Sequence, residues 1–283
     1  MYHSNDRTTQ VPHVGSTKWN ILRDGSSVVL YASIPIAASH HPTIVCFHGS
    51  GGNTAASWSE LIGILSMKYR LIMVDRGANV TSVPDHIGFL QEHLSAVGMP
   101  GPYILLAHSY GGTFAKQYLC QHRENVVGVV LVETGKSPEP IDCAHFLPWK
   151  RGKGLLGSKP LLVIRGDSLQ QSRQTVDDSV HVFVGEAQTP AQLIASQRVQ
   201  LLVDAERKDE NLEKAQLQIS SRHKYVHMPD CGHNIIRDRP DVVKDSIEWV
   251  FDNLSAKNDE PVAVTGHTRF KALRSWRLRS MFT

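Results

Sequence analysis

The segment Leu105-Leu106-Ala107-His108-Ser109-Tyr110-Gly111-Gly112 constrains the fold more than any other, because an apolar run ends there in a serine framed by small residues and then enters a helix-forming stretch. Such a run reads as a buried strand, and a strand that feeds straight into a helix has to turn sharply at Ser109. The turn forces the serine into a strained backbone conformation, so the positions two before and two after it must be small. Ala107 and Gly111 meet that demand. The same turn aims the first helical N–H groups, beginning with Tyr110, at one point beyond the strand. A bare Ser-x-Gly is common by chance and alone marks only an ordinary strand-to-helix turn; the flanking strand and helix give this one its meaning.

The rest of the chain fits around that unit. Short β-rich runs at 43–47, 70–74, 103–107, 126–132, 160–164 and 224–228 alternate with helical stretches, the pattern of a mostly parallel sheet covered by helices on both faces. Ahead of them, 18–23 and 27–33 flank Asp24-Gly25-Ser26, turn chemistry that predicts an antiparallel hairpin at the start. Helices are expected over 54–68, over a stripe of Ile87, Leu90, Leu94 and Val97 bounded by Pro84 and Gly98, and over 240–254 with Asp238 as N-cap. Between Ile164 and Lys224, the residues Leu193, Ile194, Leu201, Leu202, Leu212 and Ile219 predict two or three amphipathic helices that cover the sheet or roof the site. The division expected is a flexible arm at 1–16, one α/β domain at 17–255 with a short loop-rich crossover at 134–159 and a helical insertion at 168–222, and a basic tail at 256–283.

Composition narrows the function classes. A chain of 283 residues with 41% hydrophobic and 20% charged residues is long enough for a sizeable core. No apolar run approaches the roughly 20 residues that span a bilayer. Residues 1–16 are polar and lack the basic start and apolar stretch of a secretory signal, so a cytoplasmic address is expected. Four cysteines, Cys46, Cys120, Cys143 and Cys231, lie far apart without metal spacing or disulfide density, so free thiols and no bound metal are expected. The formal charge of +3 comes from the tail, where five Lys or Arg and no acid fall within 261–283, leaving 25 basic against 27 acidic residues before it. A near-neutral body gives no sign of nucleic-acid binding. In the tail, Arg269, Lys271, Arg274, Arg277 and Arg279 interleave with Phe270, Leu273, Trp276 and Met281, which suits a basic amphipathic helix against a membrane surface or partner and equally a disordered basic arm.

A serine hydroxyl is a poor nucleophile at neutral pH and needs a base that a third group orients. Among 15 histidines, His233 has the best-defined setting: Tyr225-Val226-His227-Met228-Pro229-Asp230-Cys231-Gly232-His233 places it just past a strand, before a helix, and after Ser109 in chain order. His48, His108 and His227 compete, but each is explained as a loop or strand residue satisfied locally. Cys231, two residues before His233 on one tight loop, is read as packing. The strand at 43–47 runs into His48-Gly49-Ser50-Gly51-Gly52, a loop without the Gly-Lys-Ser/Thr ending of a phosphate loop or the spacing of a dinucleotide fingerprint. Ser50, with Gly51, is therefore the candidate second oxyanion donor beside Tyr110.

On the His48-Gly49 loop, Asp75-Arg76, the Ser109 turn and the Gly232-His233 pair, the chain resembles the α/β-hydrolase family over about residues 17–255, and Gly101 to Gly112 is similar to a branch of small esterases, lactonases and thioesterases. The resemblance implies the α/β-hydrolase fold, a mostly parallel central sheet with an antiparallel N-terminal hairpin and a small or absent conventional lid. It departs from the common pattern in Ala107, where glycine is usual, and in Asp75-Arg76-Gly77-Ala78-Asn79, which lacks the usual second glycine. The family carries its acid after either of two strands. Glu133, ending Val130-Leu131-Val132-Glu133, is one candidate, favoured because an unpaired carboxylate at the end of a buried strand is costly. Asp167, in Ile164-Arg165-Gly166-Asp167, is the other, with a surface turn cap as its alternative role. The activity implied is hydrolysis of an ester, lactone or thioester through an acyl-Ser109 intermediate, or its capture by an internal nucleophile to cyclise a polyketide-like acyl substrate. No cofactor is needed, and the expected partner is a small-molecule acyl substrate. A lyase or isomerase using the Ser-His pair as a base, and a non-catalytic binding protein on the same fold, are the readings from other classes.

Overall fold

The computed structural model describes residues 16–21, 27–32, 42–50, 54–75, 82–96, 99, 101–135, 154–168 and 190–254. Its central strands are the near-continuous apolar runs, which can be buried on both faces only if helices cover both sides of a parallel sheet. In chain order the elements are β1 (Ser16–Ile21), β2 (Ser27–Ala32), β3 (Thr43–Phe47), α1 (Thr54–Ser66), β4 (Leu71–Asp75), α2 (Val83–Ala96), β5 (Tyr103–His108), α3 (Gly111–His122), β6 (Val126–Val132), β7 (Leu161–Arg165), α4 (Pro190–Ala215), β8 (His223–His227), α5 (Ile235–Asp238) and α6 (Pro240–Asp252). The sheet order is β1-β2-β4-β3-β5-β6-β7-β8. The pairs β1·β2 and β2·β4 are antiparallel and the others parallel.

Side chains alternate across this sheet with the period of two that strands impose. Ile44, Cys46, Ile104 and Leu106 join Trp58, Leu61 and Leu65 of α1 and Val243, Ile247 and Val250 of α6 in one apolar layer. Val45, Phe47, Leu105 and Ala107 join Ile87, Leu90 and Leu94 of α2 and Phe114, Ala115 and Tyr118 of α3 in the other. Each such side chain, fully buried, contributes about 1.5–3 kcal/mol of apolar transfer. Because β3 lies between β4 and β5, the chain leaves β3 toward β4 and then crosses back over it to β5, so the carboxyl ends of β3 and β5 form the switch point at which such sheets open a crevice. The turn at Ser109 sits at that crevice.

The strand positions expected from sequence fall within two residues of those observed, with β1 starting at Ser16 inside the expected arm. Three expectations are corrected. The insertion before β8 holds one 26-residue helix rather than two or three. After Pro190 it contains no glycine or proline to stop it, and Ile194, Leu201 and Leu212 are exposed, so their spacing marks no inward stripe. Asp238 does not cap the last helix: it closes α5 and pairs with Arg237 at 2.7 Å, and Arg239 precedes Pro240 without a side-chain cap. Cys120 is disulfide-bonded, whereas Cys46 and Cys231 are free and buried. A bridge depends on which thiols meet in space, which spacing along the chain does not reveal. The Asp24-Gly25-Ser26 turn, Arg76, Val97, Gly98, residues 136–153 of the expected 134–159 crossover, the first part of the insertion and the basic tail lie outside the described residues. Among the described residues no helix is long and apolar enough to cross a membrane.

The second half of α4 docks on the exits of β6 and β7 through buried polar groups. Arg165, at 2% exposure, faces Asp209 at 3.3 Å, Glu206 at 3.9 Å and the His227 ring at 3.0 Å. Removing one partner of a buried pair costs about 3–5 kcal/mol because it strands the other charge, whereas replacing both partners by apolar side chains of similar volume costs far less. Arg165→Met alone is therefore expected to lower stability by that amount and the double variant Arg165→Met/Asp209→Leu by much less, as read from urea unfolding midpoints; equal losses would mean that stranding Asp209 is not what the single variant costs.

Next to it, Glu213 accepts the Gly135 N–H and is bonded by Gln216 at 2.6 Å, which in turn accepts from Thr134 at 2.8 Å. Burial outweighs these bonds and pushes Glu213 up to about 8. As pH climbs from about 4.5 to about 8 the unfolded chain gives up this proton while the folded chain keeps it, so stability falls across that window. Glu213→Gln is expected to gain melting temperature over the native chain progressively between those pH values. A constant difference would place the proton elsewhere.

Candidate active site

β5 delivers Ser109 into a left-handed conformation with φ 53°, one of the few that a non-glycine residue holds only under constraint. The constraint is visible: the Ser109 N–H donates to Val132 O at 2.9 Å, while Gly112 and Thr113 donate back to Ser109 O and Tyr110 O at 3.0 Å as α3 begins. Gly111 has no room for a side chain, since a Cβ there would stand 2.2 Å from Phe47 O. A Cβ on Gly49 would stand 3.1 Å from the Ser109 Cβ, so the loop leaving β3 lies directly against the serine. Ser50, an exposed residue, follows Gly49 directly, and Tyr110 is the N-cap of α3, while Gly51 lies outside the described residues.

His233 arrives on the loop after β8, and backbone ties fix that loop. Met228 N–H donates to Arg165 O and Asp167 N–H to Cys231 O, each at 2.7 Å. Gly166 is packed so closely that a Cβ would meet Gly232 O at 2.6 Å. His108, beside the serine, approaches His233 O with Nε2 at 2.9 Å; a carbonyl accepts, so this nitrogen carries the hydrogen. Burial pushes His108 down to about 4, which keeps it neutral and in that donor role.

The imidazole of His233 lies between two groups. Nε2 is 2.9 Å from Ser109 Oγ, and Nδ1 is 3.0 Å from Glu133 Oε2. A carboxylate only accepts, so Nδ1 holds the hydrogen and Nε2 presents its lone pair to the serine hydroxyl.

Glu133 shares the geometry of the serine one strand along. It too has φ 53°, and its N–H donates to Ile164 O at 2.9 Å. Its side chain is 2% exposed and accepts from Gly166 N–H on Oε1 and from the Ser168 hydroxyl on Oε2. Burial alone would raise this carboxyl; the bonds from His233, Ser168 and Gly166 outweigh it and hold Glu133 below its ordinary value.

Of the residues singled out in the sequence, the structure thus brings Ser109, His233 and Glu133 into one line of hydrogen bonds. Asp167 is not in it: both ring nitrogens of His233 face other groups, and Asp167 is buried rather than a surface turn cap. Of the competing histidines, His48 has Nδ1 at 2.7 Å from Gly49 O and His227 has Nε2 at 3.0 Å from Arg165. Cys231 packs in the core. Among the described residues no group of three or more His, Cys, Asp or Glu is placed to hold a metal ion.

A family model described as "Alpha/beta hydrolase family" matches residues 44–246. The chain belongs to the α/β-hydrolase family. This α/β-hydrolase is 23% identical, over 76% of its own length, to the "Probable transporter efuK" of Hormonema carpetanum, and spans 40% of that relative. To the "Uncharacterized protein YqjL" of Bacillus subtilis it is 21% identical over 70% of its length and 79% of the relative. Among solved structures, a thermophilic esterase from Thermogutta terrifontis superposes with a TM-score of 0.53 at 14% identity, covering 85% of this chain and 100% of that one. The carboxylesterase CesB of Bacillus subtilis gives 0.51 at 14% identity, covering 85% and 93%. At these identities the likeness is one of fold.

Three contributors to the site of this hydrolase carry no signal that sequence reasoning used: the Gly166 N–H, the Ser168 hydroxyl and the His108 ring. Ser168 stands two residues past Gly166, a hydroxyl next to the carboxylate of Asp167 to which the family pattern draws attention.

Proposed function

We propose that this protein is a serine acyl hydrolase that cleaves a carboxylic ester, lactone or thioester through an acyl-Ser109 intermediate. The observation that carries the reading is the continuous path Ser109 Oγ, His233 Nε2, His233 Nδ1, Glu133 Oε2, with spacings of 2.9 and 3.0 Å at its two hydrogen bonds. In this reading His233 takes the hydroxyl proton as Ser109 Oγ bonds to the acyl carbon, then gives it to the departing oxygen or sulfur as that bond breaks. Glu133, held ionised, stabilises the imidazolium in between. Water, deprotonated by the same nitrogen, attacks the acyl carbon and frees Ser109. The N–H groups of Tyr110 and of Ser50, with Gly51, are the proposed donors to the oxyanion, a reading supported by the start of α3 at Tyr110 and by the close approach of Gly49 to Ser109. An internal hydroxyl or amine of the acyl chain in the place of water would yield a cyclised product by the same steps.

A fluorophosphonate probe tests the reading. Stoichiometric labelling of Ser109 in the native chain is the expected result, with turnover in a panel of activated esters, lactones and thioesters naming the leaving group. Folded protein that resists labelling and turns over none of them would return the site to non-covalent base chemistry or to ligand binding.

A further inference from the structure

We infer that Ser168 is a positioning residue of this site: its hydroxyl, donated to the same Glu133 oxygen that faces His233, sets how strongly the acid holds the imidazole's proton. The inference rests on the acyl-Ser109 reading above.

Glu133 receives three donors. Gly166 N–H goes to Oε1, whereas the Ser168 hydroxyl and His233 Nδ1 share Oε2. Hydrogen bonds to a carboxylate favour its charged form and spread its charge. Ser168 therefore acts in two directions. It helps keep Glu133 ionised in a place nearly closed to solvent. It also takes part of the electron density that Nδ1–H would otherwise draw on alone, so the charge that Oε2 turns toward the imidazole is smaller than an unshared carboxylate would present.

Among the described residues, His108 at the end of β5, Glu213 on α4, and Cys231 and His233 on the loop after β8 also act electrostatically on Glu133. Ser168 and the Gly166 N–H bond the carboxylate without titrating, so removing the Ser168 hydroxyl alters the acid's solvation and changes no charge. The β7 exit, where sequence places the alternative acid, thus supplies donors to the acid of β6.

The test uses the full chain and four forms: native, Ser168→Ala, Ser168→Thr and Ser168→Cys. The rate of fluorophosphonate labelling of Ser109 is measured against pH, and the His233 imidazole is titrated by NMR in the same proteins. In Ser168→Ala the acid limb and the imidazole pKa are expected to rise together by about half a unit, with the plateau rate lowered less than about tenfold. Ser168→Thr, which keeps the hydroxyl, should return both, and the thiol of Ser168→Cys, a weaker donor, should fall between. Normal labelling of the native chain with an unmoved limb in Ser168→Ala, whatever the plateau rate, overturns the role of Ser168 and leaves the acyl-Ser109 reading standing. Absence of labelling in folded native protein overturns that reading instead. The NMR titration needs no turnover and then decides alone: a shift restored by threonine supports the role, and no shift overturns it.

Discussion

Ser109→Ala is expected to abolish probe labelling and to lower kcat by about five to six orders of magnitude on whichever ester the native chain turns over best, because among the described residues no other hydroxyl faces Nε2 of His233. The residue that remains still sits at φ 53°, so alanine keeps the backbone strain that the serine bears. Glycine does not, since that region costs it nothing. Ser109→Gly should therefore be as inactive as Ser109→Ala but melt at a higher temperature. Calorimetry on the two variants checks this, and equal melting temperatures would mean that the turn at Ser109 stores no strain.

Glu133→Gln should cost about four orders of magnitude in kcat with little change in fold. The amide oxygen can still take the Gly166 N–H, but the amide NH2 then points at His233 Nδ1 and drives the hydrogen to Nε2, the nitrogen that must accept from Ser109. Labelling should slow by a similar factor, because the probe needs the same nucleophile. Asp167→Asn, one strand over, is expected to stay within about tenfold of the native rate. The reverse ranking of the two variants would make Asp167 the working acid and would require the loop at His233 to rearrange in solution.

Much of this could be read from the chain before any coordinates, for identifiable reasons. Ser109 was legible because three demands coincide in eight residues: a buried strand, small neighbours and an immediate helix. His233 was legible because it alone of the histidines follows a strand and precedes a helix after the serine. Glu133 and Asp167 could not be separated with the same force, since both end adjacent parallel strands. What distinguishes them is the φ of Glu133 and the direction of the Gly166 N–H, and neither is written in residue type. The length of α4 was misread because six apolar residues fit several short helices, whereas the absence of any helix breaker between Pro190 and Ala215 was the stronger signal. Arg165 gave no warning at all: an arginine closing an apolar strand looks like an exit to solvent until helix α4 covers it with Asp209 and Glu206.

The two left-handed residues hang from neighbouring strands in the same manner, Ser109 from Val132 O and Glu133 from Ile164 O. Ser109 and Glu133 therefore share one frame of reference, the hydrogen-bond ladder itself, and neither can drift unless a strand slides along its neighbour. The imidazole is surveyed from outside that frame, by a loop that a few backbone bonds and one histidine ring hold in place. Substitutions outside this ladder are thus free to reshape the surroundings of the serine while its hydroxyl and the carboxylate keep their places, and damage to the loop displaces the imidazole first.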